Sequence, residues 1–467
     1  MVSHGANAPQ PVKSLRDWLD HLATRGRLAV LRPGLGLKFE VAAYAKRLDG
    51  QRATVFPKPS GHPMPVVSGL VSDRGWMAEA MGVEPSEMLS RFQDAAENPL
   101  PWQEVRDAPA QEVVHRDVDL TKILPIPTHN EHDGGPYVAA GLMIVRNPKT
   151  GKQNVSIHRC QITGPNRIGV LVLPRHTFMF QRMAEEAGQP LDAAIAIGVD
   201  PLTLLSSQAI VPMDQDELEI AGALQGRPLP VVKCVTSDIR VPAESEIVIE
   251  GRFLPNVREP EGPFGEFPQY YGERAPREVM EVVAVTHRKD AIFHTIVGGG
   301  LEHQLLGAIP KEATLLTHLR RNFPNVVDVH LSPGGVMRFH LFVKLRKTQE
   351  GQGKNVILGA FAGSFDLKHV IVVDEDVDIH NPTEVEWAVA TRFQADRDLV
   401  IVPDSQGSKL DPSNRDGVGA KMGIDATKPL KAPEMTFKRI RVPGEEAVDV
   451  ARALHEASGD WRSALKS

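Results

Sequence analysis

The sequence predicts a multidomain α/β protein (α+β in overall layout), with an α/β unit at each end and a β-barrel between them. Three observations carry this. The chain has 467 residues, more than one ordinary core fills, so two or three domains of roughly 100–200 residues are expected. Both ends alternate short apolar strand runs with amphipathic helices, the pattern of α/β layers. Between residues 138 and 297 strand signals dominate at irregular spacing, which suits a barrel better than a doubly wound sheet.

The clearest helix covers residues 14–26. Ser14 can cap it with Asp17 three positions on, Leu15, Trp18, Leu19 and Leu22 form one apolar stripe, and Gly26 ends it. From 27 to about 106 strands alternate with helices, one of them at 85–96, giving an N-terminal domain over 1–123. Two prolines in Leu124-Pro125-Ile126-Pro127-Thr128 remove ladder donors, so this segment marks a boundary. The middle domain, 124–309, holds β-rich runs at 139–146, 153–162, 168–173, 231–235, 247–253 and 279–287, a helix at 177–187 and another starting near Asp216. Pro310 suits the first turn of a helix over 310–322, read as a linker at 310–323. Strands at 326–331, 338–344, 369–373 and 399–402 then alternate with helices at 354–362 and 382–393, a second α/β domain over 324–467.

Composition narrows the function. A formal net charge of -6 argues against a nucleic-acid or anionic-membrane surface. No apolar run approaches the roughly 20 residues of a membrane helix. Residues 1–11 lack the basic-then-apolar pattern of a signal peptide and read as a loose tail. Only Cys160 and Cys234 occur, so no disulfide framework is expected and a reducing cytoplasm fits.

The most informative segment is Glu261-Gly262-Pro263-Phe264-Gly265-Glu266, two carboxylates at the ends of a stiff, small-residue turn. Carboxylates held in fixed relation can be driven to different pKa values, so that one carries a proton while the other is ionised. A charged Gly/Pro turn between strands is the alternative. In the strand-like run Asn154-Val155-Ser156-Ile157-His158-Arg159, alternation puts Asn154, Ser156 and His158 on one face and Arg159 on the other. If buried, Arg159 needs a partner, and Glu261 or Glu266 would serve; an edge strand with solvated polar residues is equally compatible. Arg175-His176 opens a helix whose free amides suit a phosphate or carboxylate, with His176 a metal-ligand or capping candidate. Glu217, in the acidic helix start 214–219, is a candidate ligand for a hard cation such as Mn²⁺ or Mg²⁺. Lys421 lies in a glycine-rich stretch that reads as a flexible phosphate-binding or surface loop.

Three other segments look chemical without the required pattern. His129-Asn130-Glu131-His132-Asp133 reads as loop structure near a pocket, and 374–378, with Asp374, Asp376 and Asp378, as a solvated strand end. Gly298-Gly299-Gly300 lacks dinucleotide-fingerprint spacing.

Taken in order, these segments resemble the UbiD-like decarboxylases, which use a prenylated FMN cofactor. The likeness runs from about Ser14 to Thr427. It rests on 154–159, Pro174-Arg175-His176, Asp216-Glu217 with Ala221-Gly222-Ala223, 242–250, 261–266 and 419–427. It implies an N-terminal α/β domain, a central FMN-binding split β-barrel, and a C-terminal α/β domain that mediates dimers. It also implies that Arg159, Glu261 and Glu266 form a Glu–Arg–Glu catalytic network, and that Asn154, His176 and Glu217 hold Mn²⁺ (or Mg²⁺) against the cofactor phosphate. Ser156, Ile157, His158, Arg159 and Arg175 would contact the cofactor, Lys421 its phosphate, and K⁺ would bind nearby.

The implied reaction removes CO₂ from an sp² carbon through a covalent cofactor–substrate adduct, the prenylated flavin acting as electron sink and Glu266 as proton donor. Segments 297–303 and 310–313, with Arg338, resemble the branch acting on furan and pyrrole carboxylates, so His303, Lys311 and Arg338 are expected to line the substrate pocket. Furan-dicarboxylate members carry Arg at the position of Lys311, which argues against a bidentate carboxylate clamp there. The expected partners are a small aromatic or heteroaromatic acid, CO₂, a flavin prenyltransferase as cofactor supplier, and a second copy of the chain. The alternatives are a split-barrel oxidoreductase using ordinary FMN and a non-enzymatic metal-and-flavin storage protein.

Overall fold

Ser14 accepts a hydrogen bond from the Asp17 amide at 3.1 Å and opens the helix Leu15–Thr24, which buries Leu15, Trp18 and Leu22. The computed structural model describes residues 12–453 together with 462 and 465; the expected tail, 1–11, lies outside the described residues. A four-stranded sheet follows, in the order Leu28–Val30, Ala53–Phe56, Val66–Ser68, Phe293–His294. Its last strand comes from the far end of the middle region and stitches the N-terminal unit to the barrel. The expected helix at 85–96 is a 3₁₀ turn, Pro85–Glu87, leading into Met88–Glu97.

The middle region is a nine-stranded sheet. Its path runs Tyr137–Val138, Cys160–Gly164, Arg167–Val170, Ala275–His287, Ile247–Glu261, Leu191–Ile197, Leu142–Arg146, Gln153–Ile157, with Val113–His115 paired to Ala275–His287. Gln153–Ile157 closes one end of this path and Cys160–Gly164 lies beside the other, yet only His158 and Arg159 separate them in sequence. The sheet therefore curls until its ends approach, and His158 and Arg159 cross the split. The continuous strand expected over 153–162 breaks at this point, where the Arg159 side chain reaches two buried carboxylates. Leu191–Ile197, inside the sheet, is not among the expected strands: apart from Asp192 it is a short apolar run without alternation to mark it. The run at 231–235 contributes Pro230–Lys233 to a separate three-stranded sheet with Arg240–Pro242 and Gln103–Val105.

The helix expected from Pro310 starts instead at Leu301 and runs to Asn322, with Pro310 in its interior. An interior proline costs ~3 kcal/mol, and two buried acids on the helix offset it. Glu302 accepts the amides of Gly69 and Leu70 at 2.7 and 2.8 Å. Glu312 accepts the Leu331 amide at 2.7 Å and pairs with Arg74 at 2.5 Å and His330 at 3.1 Å.

The C-terminal sheet has five strands in the order Val326–Leu331, His340–Leu345, His369–Asp374, Val418–Ala426, Leu399–Gln406, flanked by helices Gln352–Gly363 and Pro382–Arg392. The stretch around Lys421, expected to be a flexible loop, is the interior strand Val418–Ala426. The acidic strand end at 374–378 is not simply solvated, since the buried Arg392 pairs with Asp374 and Asp376 at 2.7 and 2.9 Å. Among the described residues no helix is long and apolar enough to cross a membrane.

Replacing Glu312 by Ala strands the partly exposed guanidinium of Arg74 and the buried imidazole of His330. Loss of a buried pair's partner costs on the order of 3–5 kcal/mol, so Glu312→Ala is expected to lower the thermal unfolding midpoint clearly. An unchanged midpoint by calorimetry would remove Glu312 as an anchor of the helix.

Candidate active site

Arg159, set at the split of the curled sheet, is gripped by two acids. Its two terminal nitrogens donate to Glu266 Oε1 at 2.6 Å and to Glu261 Oε2 at 2.7 Å. Glu261 sits at the end of the long strand Ile247–Glu261 and is fully buried; Glu266 follows the next turn, is 8% exposed and faces a cavity. Tyr137 donates to Glu261 Oε1 at 3.0 Å, and burial, reinforced by the charge of Glu261, pushes its hydroxyl pKa up. Arg159 also lies 5.8 Å above the ring of Phe264. Gly272 keeps this space open: a Cβ there would stand 2.3 Å from an Arg159 nitrogen.

Burial raises the Glu266 pKa above the ordinary carboxylate range; Arg159 opposes the shift and Glu261 adds to it. Burial acts against the charge of Arg159, but Glu266 and Glu261 prevail and leave its pKa raised. The arrangement favours a proton on Glu266 and keeps the carboxyl aimed.

The cavity has a volume of about 470 Å³, within the usual span for cofactor and ligand sites. Asn154, Ser156, Ile157, His158, Arg159, Arg175, His176, Glu217, Glu266, His303, Lys311 and Arg338 all line it. Of the expected site residues, only Glu261 and Lys421 stand outside. Lys421 instead donates its ammonium to the carbonyls of Phe365 and Leu367 at 2.8 and 2.6 Å.

One end of the cavity is a polar cradle. Asn154 Oδ1 and His176 Nδ1 are 3.1 Å apart, and Ser156 Oγ lies 2.9 Å from His158 Nε2. The Glu217 carboxylate accepts the Val155 amide at 2.7 Å. Burial pushes its pKa well above the usual value, and no cation offsets this. Burial and the neighbouring Arg175 keep His176 on the neutral side. One amide oxygen, one neutral imidazole and one uncompensated buried acid fit a divalent cation, and the His176–Glu186 helix begins beside them. Among the described residues no cluster of three His, Cys, Asp or Glu exists, so a metal here needs the Asn154 amide.

The other end is cationic. Arg338 donates to the carbonyls of Gln304 and Met337, both at 2.8 Å, and stands 5.4 Å from the Phe267 ring centre. A Cβ on Gly307 would come within 1.6 Å of an Arg338 nitrogen, so only glycine leaves room for the guanidinium. Burial lowers the Arg338 pKa to about 10. Burial likewise brings Lys311 down to about 8, against the pull of Asp366, its ion-pair partner. His303, pushed down to about 3 by burial and by Arg338, is neutral, and its Nδ1 accepts the Gly299 amide at 3.3 Å.

The His129–Asp133 loop is a buttress. Asp133 accepts the amides of Gly265 and Asn130, both at 2.8 Å, fixing the turn between the two acids, and His129 bonds Thr295 at 2.7 Å. Tyr137 and Asp366 were not foreseen. Each is an isolated polar residue, and only the fold brings it to its partner.

Known proteins resemble this chain along most of its length. The N-terminal, Rift-related and C-terminal domains of 3-octaprenyl-4-hydroxybenzoate carboxy-lyase (UbiD) match residues 19–96, 103–301 and 304–426. The UbiD-class enzyme HmfF from Pelotomaculum thermopropionicum, solved in complex with FMN, is 51% identical with a TM-score of 0.93, over 94% of this chain and 100% of that one. An evolved dimeric form of the same enzyme, in complex with prFMN, is 48% identical with a TM-score of 0.89, over 95% and 100%. Anhydromevalonate phosphate decarboxylase from Methanothermobacter thermautotrophicus is 38% identical over 91% of this chain and 99% of its own length. The matched domains span most of the sequence, the relatives align nearly end to end, and the acid–arginine–acid site lies in the Rift-related region: the chain belongs to the UbiD family of carboxy-lyases.

Proposed function

We propose that the protein is a prenylated-FMN-dependent, reversible decarboxylase of a small aromatic or heteroaromatic acid. The observation that carries this reading is Arg159 held between Glu261 and Glu266, with Glu266 facing the cavity. The oxidoreductase alternative has no need of such a proton donor, and family membership sets it aside.

The flavin, when bound, supplies the electron sink that cleavage at an sp² carbon needs. The protein's own groups do the rest. Arg175 and the amides opening the His176–Glu186 helix suit the cofactor phosphate, with Ser156, Ile157 and His158 alongside. Asn154, His176 and Glu217 would hold Mn²⁺ or Mg²⁺ against it, and K⁺ would complete the charge balance. Lys421 acts one step removed, through the backbone it holds at 365–367. Arg338, Lys311 and His303 orient the acid. Glu266 delivers its proton to the carbon that loses CO₂ and takes one back in the carboxylation direction, while Arg159 and Glu261 keep it aimed. A homodimer or higher assembly fits the exposed Met435, Ile440 and Val442 of the C-terminal segment.

The substrate has a second reading. The relative named for anhydromevalonate phosphate and the closeness of Arg175 to Lys311 and Arg338, whose basicity its charge lowers, favour a phosphate-bearing acid as the competitor to test.

The direct experiment is co-expression with a flavin prenyltransferase, then mass and absorbance analysis of the released small molecules and CO₂ assays on furan, pyrrole, benzoic and phosphorylated acids. Prenylated FMN with CO₂ release from a heteroaromatic or aromatic acid is the expected result. Plain FMN with nicotinamide-linked turnover would overturn the reading.

Glu266→Gln should abolish most turnover, about 10²–10⁴-fold for a general acid, while flavin retention stays unchanged. Because the donor must be protonated, kcat for decarboxylation should fall as pH rises through the raised Glu266 pKa, on a limb above the ordinary carboxylate range. A variant with full activity would remove Glu266 as the donor.

His176→Ala should cut manganese content, read by elemental analysis, and weaken flavin retention with the circular dichroism spectrum unchanged. Undiminished manganese would place the metal elsewhere. Arg338→Ala should raise KM and change the ranking of acids; an unaltered profile would take Arg338 out of the substrate pocket.

A further inference from the structure

The cationic end of the cavity contains an acid that the mechanism above does not use. Asp366 lines the cavity and forms an ion pair with Lys311, each side chain only slightly exposed, at 14% and 9%. It cannot swing aside easily. The carbonyls of the residues on either side, Phe365 and Leu367, are both held by the buried ammonium of Lys421, which the interior strand Val418–Ala426 carries.

With its proton on Glu266, the Arg159 network is neutral, since Arg159 balances Glu261. Lys311 and Asp366 balance each other, and His303 is neutral. Arg175 is exposed at the helix start, on the side assigned to the cofactor phosphate. Arg338 remains, hydrogen-bonded only to carbonyl oxygens; Asp366 attracts it too, but that single charge is shared with Lys311. Buried charge is tolerated where it is matched, so this end has one unmatched positive charge for the substrate.

Resting on the decarboxylase reading, we propose that Asp366 is a specificity-determining residue: it neutralises Lys311 and restricts the pocket to an acid with a single anionic group. A second carboxylate or a phosphate on the substrate would meet Asp366 as a like charge. A ring N–H or O–H would find in the same carboxylate an acceptor, so a donor-bearing monocarboxylic heteroaromatic acid fits this end best.

The test is isothermal titration calorimetry of the flavin-loaded protein with furan-2-carboxylate and furan-2,5-dicarboxylate. Wild type should bind the monoacid more tightly. Asp366→Asn should shift the ratio of the two affinities toward the diacid by roughly tenfold or more, the scale of one unit charge a few ångströms away. Lys311→Met should shift it the opposite way. The double variant, whose net charge equals that of wild type, should return it. Equal ratios in wild type and both single variants, shifts of the same sign in both, or no binding of either acid to wild type would overturn the proposal. CO₂ release from the monoacid, measured on the same preparations, judges the decarboxylase reading separately.

Discussion

Arg159 bridging Glu261 and Glu266 is the interaction around which the rest is arranged. Three ionisable groups share a nearly dry site, and removing charge from water is costly unless each group is matched. One guanidinium can match only one full carboxylate charge, so the second acid is driven to keep its proton. The asymmetry of the surroundings decides which acid this is. Glu261 has Arg159 and the Tyr137 hydroxyl as donors in full burial, while Glu266 has Arg159, the Phe267 amide and an opening onto the cavity. A proton-holding acid therefore faces the space where a substrate can lie, and the acid that fixes the arginine faces the core.

Holding that network requires both ends of the curled sheet, and one long helix carries the facing pocket wall. Only His158 and Arg159 cross the split, so the position of the guanidinium depends on closure of the sheet itself. The helix Leu301–Asn322 uses neighbouring residues for opposite tasks. Glu302 binds the backbone of the N-terminal unit and His303 faces the cavity; Lys311 faces the cavity and Glu312 binds Arg74 and the C-terminal sheet. His303 and Lys311 thus each sit beside an anchor in a different part of the fold. Losing an anchor should disturb the pocket as well as stability.

The sequence makes some of this legible and hides the rest for identifiable reasons. Helices with caps and stripes, such as Leu15–Thr24 and Pro382–Arg392, are readable because their signals are local. The two acids that grip Arg159 are readable because two carboxylates flank a rigid turn. Pro310 misleads: a proline normally marks a first turn, but here Gly300 starts the helix and tertiary anchors carry the proline inside it. The glycines around Lys421 mislead in the same way. They suggest a loose loop, yet Gly423 is small because Ile357 packs against the strand, where a Cβ would come within 2.1 Å. A glycine that allows close packing and one that allows flexibility look identical in a sequence. Tyr137 and Asp366 have no local signal at all, since their partners Glu261 and Lys311 are distant in the chain.

The correction at Lys421 changes how the cavity is understood. A lysine on a flexible loop would act by its own charge on a bound phosphate. A lysine fixed in a strand and bonded to two carbonyls acts instead on the backbone between them, which carries Asp366. Burial lowers its basicity, and the nearby Asp366 works against that shift. The chain thus places a cation behind the pocket wall and an anion on its surface, and the anion offsets Lys311 inside. At the opposite end the order is reversed, with no cation beside the buried acid Glu217. A ligand that is anionic toward Arg338 and brings a metal toward Glu217 completes both ends. An acid substrate beside a metal-bound, phosphate-bearing cofactor has that distribution of charge.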